Sequence, residues 1–515
     1  MDRDVSLRRI ITRREPWDIA VIGGGATGVG IAVDAASRGY AVCLLEQSDF
    51  GKGTSSRSTK LVHGGVRYLQ QGNVTLVTEA LHERGLLRAN APHLVHDLTF
   101  VVPNYQWWEA PFYGIGLKAY DMLAGKYGFG KSRHLTRAEV LQHIPTLKTA
   151  GLRGGVLYHD GQFDDARLLM DLANTAAALG AVLLNYAPVT GLRRNAAGKI
   201  QALAFADGET GQSCDVVARC VINATGAFSD RLRRMDDPTV ETIIEPSQGV
   251  HLVLDKSFLP GDAAIMVPHT SDGRVMFAVP WHNRTLLGTT DTAVKDVALE
   301  PSPQDVEIDF ILTTAGQYLA HEPKRGDILS MFAGIRPLVK APHGTNTAAL
   351  SRDHTIEISA AGLLTIAGGK WTTYRRMAED AVDHAIGVGG LQPRKCVTRT
   401  LKICGSQTHT PTATVTAGIT HEPVSPIQDH RFADAASITT AEINHFVRHE
   451  MARTVDDILA RRTRLLLLDA RAAMAAAPGI AAVMASALNR DQTWVQRQIV
   501  EFTNVATAYI PSSPG

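Results

Sequence analysis

The sequence is poor in cysteine and has almost no excess charge. Only five of its 515 residues are cysteine and no two form a C-x-x-C pair, which favours reduced thiols in a cytosolic compartment over a disulfide scaffold. The formal net charge of +1 argues against broad electrostatic capture of nucleic acid, so no nucleic-acid partner is expected. These absences leave an ordinary globular chain, and its 515 residues are enough for roughly two to four domains.

From the sequence we expect neither a signal peptide nor a membrane-spanning segment. The arginine-rich first 16 residues are followed by no apolar h-region, so we predict no signal peptide. The most apolar window, residues 472–488, is mostly alanine and contains Pro478, so we predict no membrane span. Motifs for metal binding, such as H-E-x-x-H or an EF-hand loop, are absent, and no metal site is expected.

The most informative segment is residues 19–46, IAVIGGGATGVGIAVDAASRGYAVCLLE, which indicates a strand, a glycine turn, a helix and a second strand. Gly23 permits the sharp turn, Gly25 lets a pyrophosphate approach the backbone, and Gly28 lets the helix pack closely on the strand. Glu46 ends the second strand, where an acid can bond ribose hydroxyls. The pattern predicts a Rossmann-like dinucleotide site, and the acid favours FAD or NAD over NADP.

Hydrophobic patterning divides the rest of the chain. A helix is predicted over 163–180, capped by an aspartate at its start and ended by a glycine. Residues 240–330 alternate short β-runs with turns, which is typical of an antiparallel sheet. Residues 405–440 are rich in Thr, Pro, Ser and His and indicate a linker or extended loop. From Ala441 onward, apolar residues at helical spacing predict a C-terminal helical domain.

An aromatic cluster between residues 105 and 120 leaves two interpretations open. It packs inside an inserted domain, or it forms an exposed patch that faces lipid or quinone. The cluster comprises Tyr105, Trp107, Trp108, Phe112, Tyr113 and Tyr120. Basic residues that could dock on anionic lipid stand nearby: Lys118, Lys126, Lys131 and Arg133.

Two segments, IGGGATGVGIAVDAASRG (22–39) and GGKWTTYRRMA (368–378), closely resemble the hallmark segments of the FAD-dependent glycerol-3-phosphate dehydrogenase family. Further matching pieces lie between them in the family's order: TSSRSTKLVHGGVRYL, DDARL, INATG, LLGTTD, GIRPL and SRDHT. The C-terminal VRHEMARTVDDILARRTR resembles that family's helical domain, so the resemblance covers nearly the whole chain. It implies oxidation of sn-glycerol 3-phosphate to dihydroxyacetone phosphate, with hydride transfer to noncovalently bound FAD.

The resemblance also implies an α/β architecture. It combines a Rossmann-like FAD-binding domain of the glutathione-reductase type, an α/β substrate domain with an antiparallel sheet, and a C-terminal helical domain. We assign to the FAD-binding domain residues 17–90, 160–235 and 330–388, to the substrate domain residues 91–159 and 236–329, and to the helical domain residues 395–515, of which 405–440 are linker-like.

The substrate phosphate needs cations. By resemblance, Arg67 and Tyr68, directly after the HGG turn, match the family's phosphate-contacting pair. Arg352 in SRDHT and Lys370 in GGKWTTY match its other cations. Arginine can direct two donors onto phosphate oxygens, whereas lysine acts as a point charge.

The resemblance assigns further residues to the chemistry and to the flavin. Arg336, in GIRPL, is expected to stabilise the substrate oxygen as an alkoxide, or the reduced flavin anion. The base that takes the hydroxyl proton is left open between His63 in LVHGG and His251 in QGVHLVL. Flavin contacts are expected from Gly23, Gly25, Gly28, Glu46, Ser55, Ser56, Gly226, Gly369, Thr372 and Thr373.

The electron acceptor is not encoded by a second cofactor motif. Resemblance to bacterial respiratory members implies a membrane quinone, reached by peripheral binding at the cytoplasmic face of the inner membrane. The alternative is a glycerol-3-phosphate oxidase, which passes electrons to O2 and makes hydrogen peroxide. Whether the chain forms a homodimer is left open.

Overall fold

A computed structural model describes residues 1–66, 69, 72–268, 270, 273–340, 354–406 and 438–512. Three residues with predicted substrate contacts, Arg67, Tyr68 and Arg352, lie outside the described residues, as does most of the linker-like segment 405–440. All five cysteines lie within the described part and are free there, with Cys43 and Cys220 buried.

Helices occur along the whole described chain and are most frequent at its C-terminal end. The described α-helices are α1 (Arg3–Thr12), α2 (Ala26–Ser37), α3 (Val74–Asn90), α4 (Glu109–Ala124), α5 (Arg137–His143), α6 (Asp165–Ala178), α7 (Ser229–Asp236), α8 (Asp305–Tyr318), α9 (Tyr374–Gly389), α10 (Thr440–His449), α11 (Leu465–Leu468), α12 (Ala470–Leu488) and α13 (Gln492–Thr507). A π-helical turn, Asp457–Arg462, precedes α11.

The described strands form two large sheets. The strands are β1 (Trp17–Ile22), β2 (Val42–Leu45), β3 (Leu61–Val62), β4 (Val95–Asn104), β5 (Arg133–Thr136), β6 (Gly154–Phe163), β7 (Val182–Leu184), β8 (Val189–Arg194), β9 (Ile200–Ala206), β10 (Ser213–Asn223), β11 (Ile244–Asp255), β12 (Ala264–Val267), β13 (Met276–Trp281), β14 (Arg284–Gly288), β15 (Thr292–Ala293), β16 (Ile328–Val339), β17 (His354–Ile358) and β18 (Leu363–Gly368). The first sheet has the order β17-β18-β10-β1-β2-β7, with β8 and β9 joined to β10. The second has the order β15-β11-β14-β13-β12-β4-β6-β3, with β16 on β11 and β5 on β6.

The first sheet is parallel around β1, which lies between β10 and β2. Helices α2, α6 and α9 cover it and bury a common apolar core. Burial on both faces explains why its strands are continuous apolar runs rather than alternating ones. The carboxyl ends of β1, β2 and β10 therefore meet at one edge, where ligands bind in open parallel sheets.

The second sheet is antiparallel except where β12 runs parallel to β4. Its longest pairing joins β11 to β16, and a two-residue turn joins β13 to β14. Strands β3 and β16 fall within ranges that the sequence assigns to the FAD-binding domain, yet they pair in the second sheet. Within these ranges the chain therefore passes from one sheet to the other, and β16 is hydrogen-bonded to β11 of the second sheet.

The C-terminal helices pack against the second sheet. Ser330 on β16 donates a hydrogen bond to the carbonyl of Leu466 at 2.7 Å. Arg462 of the π-helical turn donates to Asp49, in the loop after β2, at 2.6 Å, so the helical region also contacts the first sheet's loops. Among the described residues, α12 is the one helix long and apolar enough to span a membrane, but it contains Pro478 and one of its faces packs in the C-terminal core.

Candidate functional site

The turn between β1 and α2, here called the glycine turn (residues 23–28), leaves no room for a side chain at Gly23 or Gly28. Gly23 has φ +109°, and a Cβ there would lie 2.6 Å from the carbonyl oxygen of Ala224. A Cβ at Gly28 would collide with the carbonyl oxygen of Gly23. Gly25 is the N-cap of α2, so the N-terminus of the helix opens at this point.

Glu46 follows β2 directly and lies beside the glycine turn. Its carboxylate accepts hydrogen bonds from the backbone N–H groups of Gly24 at 2.6 Å and Ser48 at 2.9 Å. Burial raises the pKa of this carboxyl, and the two backbone donors oppose that rise. An acid held in this position is the group that a ribose hydroxyl needs.

The loop after β2 carries the two serines assigned to the flavin, and the structure separates them. Ser55 lines the cavity described below, and its Oγ accepts a hydrogen bond from Ala26 N–H at 2.9 Å. Ser56 is buried instead, and its hydroxyl donates to the carbonyl of Gly51 at 2.9 Å. Ser56 is therefore not on the cavity wall, because its hydroxyl stabilises the loop itself.

The segment after β18 reaches the same place. Gly369, at φ +75°, Lys370 and Thr372 line the cavity. Thr373 is buried behind them, and its hydroxyl donates to the carbonyl of Lys370 at 3.3 Å. Trp371 Nε1 donates to the carbonyl of Ser55 at 2.8 Å, which joins this segment to the loop after β2.

These segments enclose a cavity of about 460 Å³ that both sheets line. Gly226, at φ +58° in the loop after β10, completes the first sheet's side. The glycine turn, the opening helix and Glu46 fit the pyrophosphate and ribose of FAD, since a backbone cradle without Cβ atoms admits phosphate oxygens. Apolar and aromatic side chains from the second sheet form the far side: Phe100, Tyr158, Met266 and Phe277.

Both candidate bases line the cavity. His251 on β11 is only 2% exposed, its Nε2 lies 2.9 Å from Thr59 Oγ1, and its ring stacks on Phe332 with centroids 5.0 Å apart. Burial, and then the charges of Arg336 and Lys60, hold the pKa of His251 well below 6.5.

His63, the other candidate, is half-buried in the turn after β3. Its backbone N–H lies 3.4 Å from Thr372 Oγ1, so this turn also contacts the segment after β18. The structure therefore brings both histidines to one cavity and leaves the choice between them open.

Arg336 on β16 also lines the cavity. Its guanidinium donates to the carbonyl of Thr290 at 3.0 Å and to Thr289 Oγ1 at 3.1 Å. The carboxylate of Asp291 lies 3.5 Å from the same guanidinium. These contacts hold the guanidinium, and with it the positive charge, in one orientation. A positive charge held in this way suits a group that must stabilise a negative charge developing at one place.

Sequence reasoning missed Arg274 and Asp291, which line the same wall and lie 3.9 Å apart. The register of the β13–β14 hairpin pairs Phe277 with Gly288, and continuing it by three residues pairs Arg274 with Asp291. A two-residue turn sets the register of a hairpin, so recognising the turn at residues 282–283 in the sequence would have predicted this pair. We call His251, Arg274, Asp291 and Arg336 the polar wall.

Comparison with known proteins gives the same picture. The profile of the FAD dependent oxidoreductases matches residues 18–375, and that of the C-terminal domain of alpha-glycerophosphate oxidase matches residues 410–495. Mitochondrial glycerol-3-phosphate dehydrogenase of Homo sapiens is 41% identical over 94% of this chain and 72% of its own length. The Arabidopsis thaliana enzyme is 40% identical over 95% and 85%.

A solved structure extends the likeness to the whole fold. Glycerol-3-phosphate dehydrogenase from Bacillus halodurans, complexed with FAD, is 27% identical with a TM-score of 0.77 and covers 99% of this chain, which covers 98% of that one. The predicted fold class is confirmed, and so is FAD as the cofactor. The chain therefore belongs to the FAD-dependent oxidoreductases, and within them to the glycerol-3-phosphate dehydrogenase family.

Proposed function

We propose that this protein oxidises sn-glycerol 3-phosphate to dihydroxyacetone phosphate and passes the electrons to a membrane quinone. The observation that carries the proposal is the composition of one cavity. A dinucleotide cradle on one side meets Lys370, Arg336 and two histidines on the others. Cations suit a phosphate and an alkoxide, and a neutral imidazole suits a hydroxyl proton.

Each of these residues has its own role in the proposed reaction. Lys370 supplies a positive charge for the phosphate, as Arg67 and Arg352 do by resemblance. His251 or His63 takes the proton from the substrate's secondary hydroxyl, and the lowered pKa of His251 keeps that ring neutral and ready to accept it. Arg336 stabilises the oxygen as its proton leaves. Bound FAD supplies the hydride acceptor for the substrate carbon.

Turnover with two acceptors tests this proposal. The holoenzyme, given sn-glycerol 3-phosphate and a soluble ubiquinone analogue, should form dihydroxyacetone phosphate, with little hydrogen peroxide when O2 is the only acceptor. Peroxide made in equal amount to the product, with quinone adding no rate, would replace the quinone by O2 and make the protein an oxidase. No product with either acceptor would reject the substrate.

We further propose that α4 and the residues before it lie on the membrane surface at the cytoplasmic face. The aromatic cluster divides in the structure: Tyr113 and Tyr120 are buried, whereas Trp107 is 74% exposed. Ile115 and Met122 are 72% and 83% exposed, and Phe112 is half exposed. Exposed basic residues stand around this face: Lys118, Lys126, Lys131 and Arg133. An exposed apolar face with a basic rim supports docking on anionic lipid.

Vesicle flotation tests the docking. Replacing Trp107 and Ile115 together by serine removes exposed apolar area, so binding to vesicles of anionic phospholipid should fall by about tenfold. Val306→Ser on α8, which is also exposed, is the matched control and should bind normally. Equal binding by all three proteins would show that another surface meets the membrane. Light scattering of the same samples tests whether the protein is a homodimer.

A further inference from the structure

We propose that Tyr120 is a positioning residue for the reaction, which holds the turn of residues 63–65 that carries His63. This inference rests on the proposed function for its kinetic consequence. Tyr120 lies on the inner face of α4 and is 1% exposed. It does not line the cavity, so it acts on the reaction through the turn and not by contact with substrate.

A short chain of hydrogen bonds makes the connection. The backbone N–H of Gly64 donates to Tyr120 Oη at 2.7 Å. Tyr120 Oη in turn donates to the carboxylate of Asp160 at 2.8 Å. Arg84 forms an ion pair with the other oxygen of that carboxylate. All these side chains are at least nine-tenths buried, so water does not compete for the bonds.

The charges fix the direction of every bond in the chain. An ionised carboxylate only accepts hydrogen bonds, so the single proton of Tyr120 points to Asp160 and a lone pair remains for Gly64. Burial, and then the charge of Asp160, raise the pKa of Tyr120 well above 10, so the hydroxyl keeps this proton. The guanidinium of Arg84, stacked 4.2 Å above the ring of Phe129, balances the buried negative charge.

The hydrogen bond to Tyr120 Oη is a short contact to the backbone at the centre of this turn. Strand β3 before it has only two residues. The hydrogen bond from the backbone N–H of His63 to Thr372 Oγ1 is longer, at 3.4 Å. A Cβ at Gly64 would lie 2.6 Å from Tyr120 Oη, so the backbone approaches the hydroxyl as closely as a glycine allows. His63 and Gly65 both line the cavity, and a shift of the turn therefore moves a candidate base.

Tyr120→Phe tests the proposal, because it removes one oxygen and keeps the ring that packs with Val77 and Leu81. Tyr40→Phe is the matched control. Tyr40 is also buried, and its hydroxyl donates to the carbonyl of Gln392 at 2.6 Å, but it does not line the cavity or contact residues 63–65.

In anaerobic stopped-flow experiments, sn-glycerol 3-phosphate should bleach the flavin of Tyr120→Phe about tenfold more slowly than that of wild type. The apparent substrate affinity and the FAD content should stay unchanged. Tyr40→Phe should bleach at the wild-type rate. Equal rates for all three proteins would overturn the kinetic claim, and so would a slow rate that comes only with loss of FAD.

Amide hydrogen exchange tests the contact without any substrate. Tyr120→Phe should raise the exchange rate of the peptide that contains Gly64 by tenfold or more, while Tyr40→Phe should leave that peptide unchanged. Unchanged exchange in Tyr120→Phe would overturn the proposal. If wild type itself is not bleached by the substrate, the proposed function fails, and the exchange experiment still decides whether Tyr120 holds the turn.

Discussion

The glycine turn is built from backbone, whereas the polar wall is built from side chains, of which the charged ones, Arg274, Asp291 and Arg336, lie close together. In the glycine turn, Gly23 and Gly28 matter because a Cβ at either would meet a carbonyl oxygen. In the polar wall, Asp291 lies 3.5 Å from Arg336 and 3.9 Å from Arg274. The glycine turn is disrupted by an added atom, whereas the polar wall is disrupted by the loss of a charge. Substitutions in the two regions should therefore have different effects.

The largest effect is expected in the glycine turn. Gly28→Ala forces a methyl group into the carbonyl of Gly23, so the turn must move. We expect loss of bound FAD and of about 2 kcal/mol of unfolding free energy. Gly479→Ala, in an exposed part of α12 where a Cβ meets nothing within 4 Å, is the control and should keep its flavin. Flavin content and urea unfolding measure both, and full FAD loading in Gly28→Ala would contradict the steric account.

Removing the positive charge of Lys370 or Arg336 should leave FAD bound and impair substrate binding or catalysis. Lys370→Ala should raise KM by roughly 10- to 100-fold, because a charge-assisted hydrogen bond to phosphate is lost.

Arg336→Ala should instead lower kcat by more than tenfold, since its charge is needed as the oxygen loses its proton. Lys199→Ala, exposed and outside the cavity, is the control. An effect of Arg336→Ala confined to KM would remove it from the chemistry.

The smallest effect is a pH dependence of stability that comes from His251. Its pKa lies well below 6.5 in the folded chain, so below pH 6.5 the unfolded chain binds a proton that the folded chain does not. The free energy of unfolding should therefore fall as the pH drops below 6.5, and the contribution is absent above it. His251→Asn should show a shallower fall between about pH 7.5 and pH 5.5 in urea unfolding. An equal slope in both proteins would mean that His251 titrates normally.

The comparison also explains what the sequence could predict. The glycine turn, Glu46 and the Asp164 cap of α6 depend on residues close together in the chain, and their local patterns predict them well. The antiparallel pairing within residues 240–330 was predicted from the alternation of short β-runs with turns. Helix α8 inside that range was missed, because β-runs and turns dominate the surrounding pattern.

The side-chain contacts of the polar wall depend on pairings between distant segments, which one sequence does not fix. Arg274 and Asp291 meet through a hairpin register, and Arg336 joins them because β16 pairs with β11 in the second sheet. Ser56 was assigned to the flavin by resemblance to the family, but its hydroxyl donates to the carbonyl of Gly51. The three-domain division, with β3 and β16 in the second sheet, stays a prediction.

The central claim is that the glycine turn and the polar wall serve one reaction on a phosphorylated alcohol. The most direct test mixes the holoenzyme without oxygen, in separate experiments, with sn-glycerol 3-phosphate and with glycerol, and follows the flavin absorbance. The account predicts rapid bleaching by the phosphate ester and none by glycerol at the same concentration, because only the ester engages the cations. Equal bleaching by both, or by neither, would contradict it.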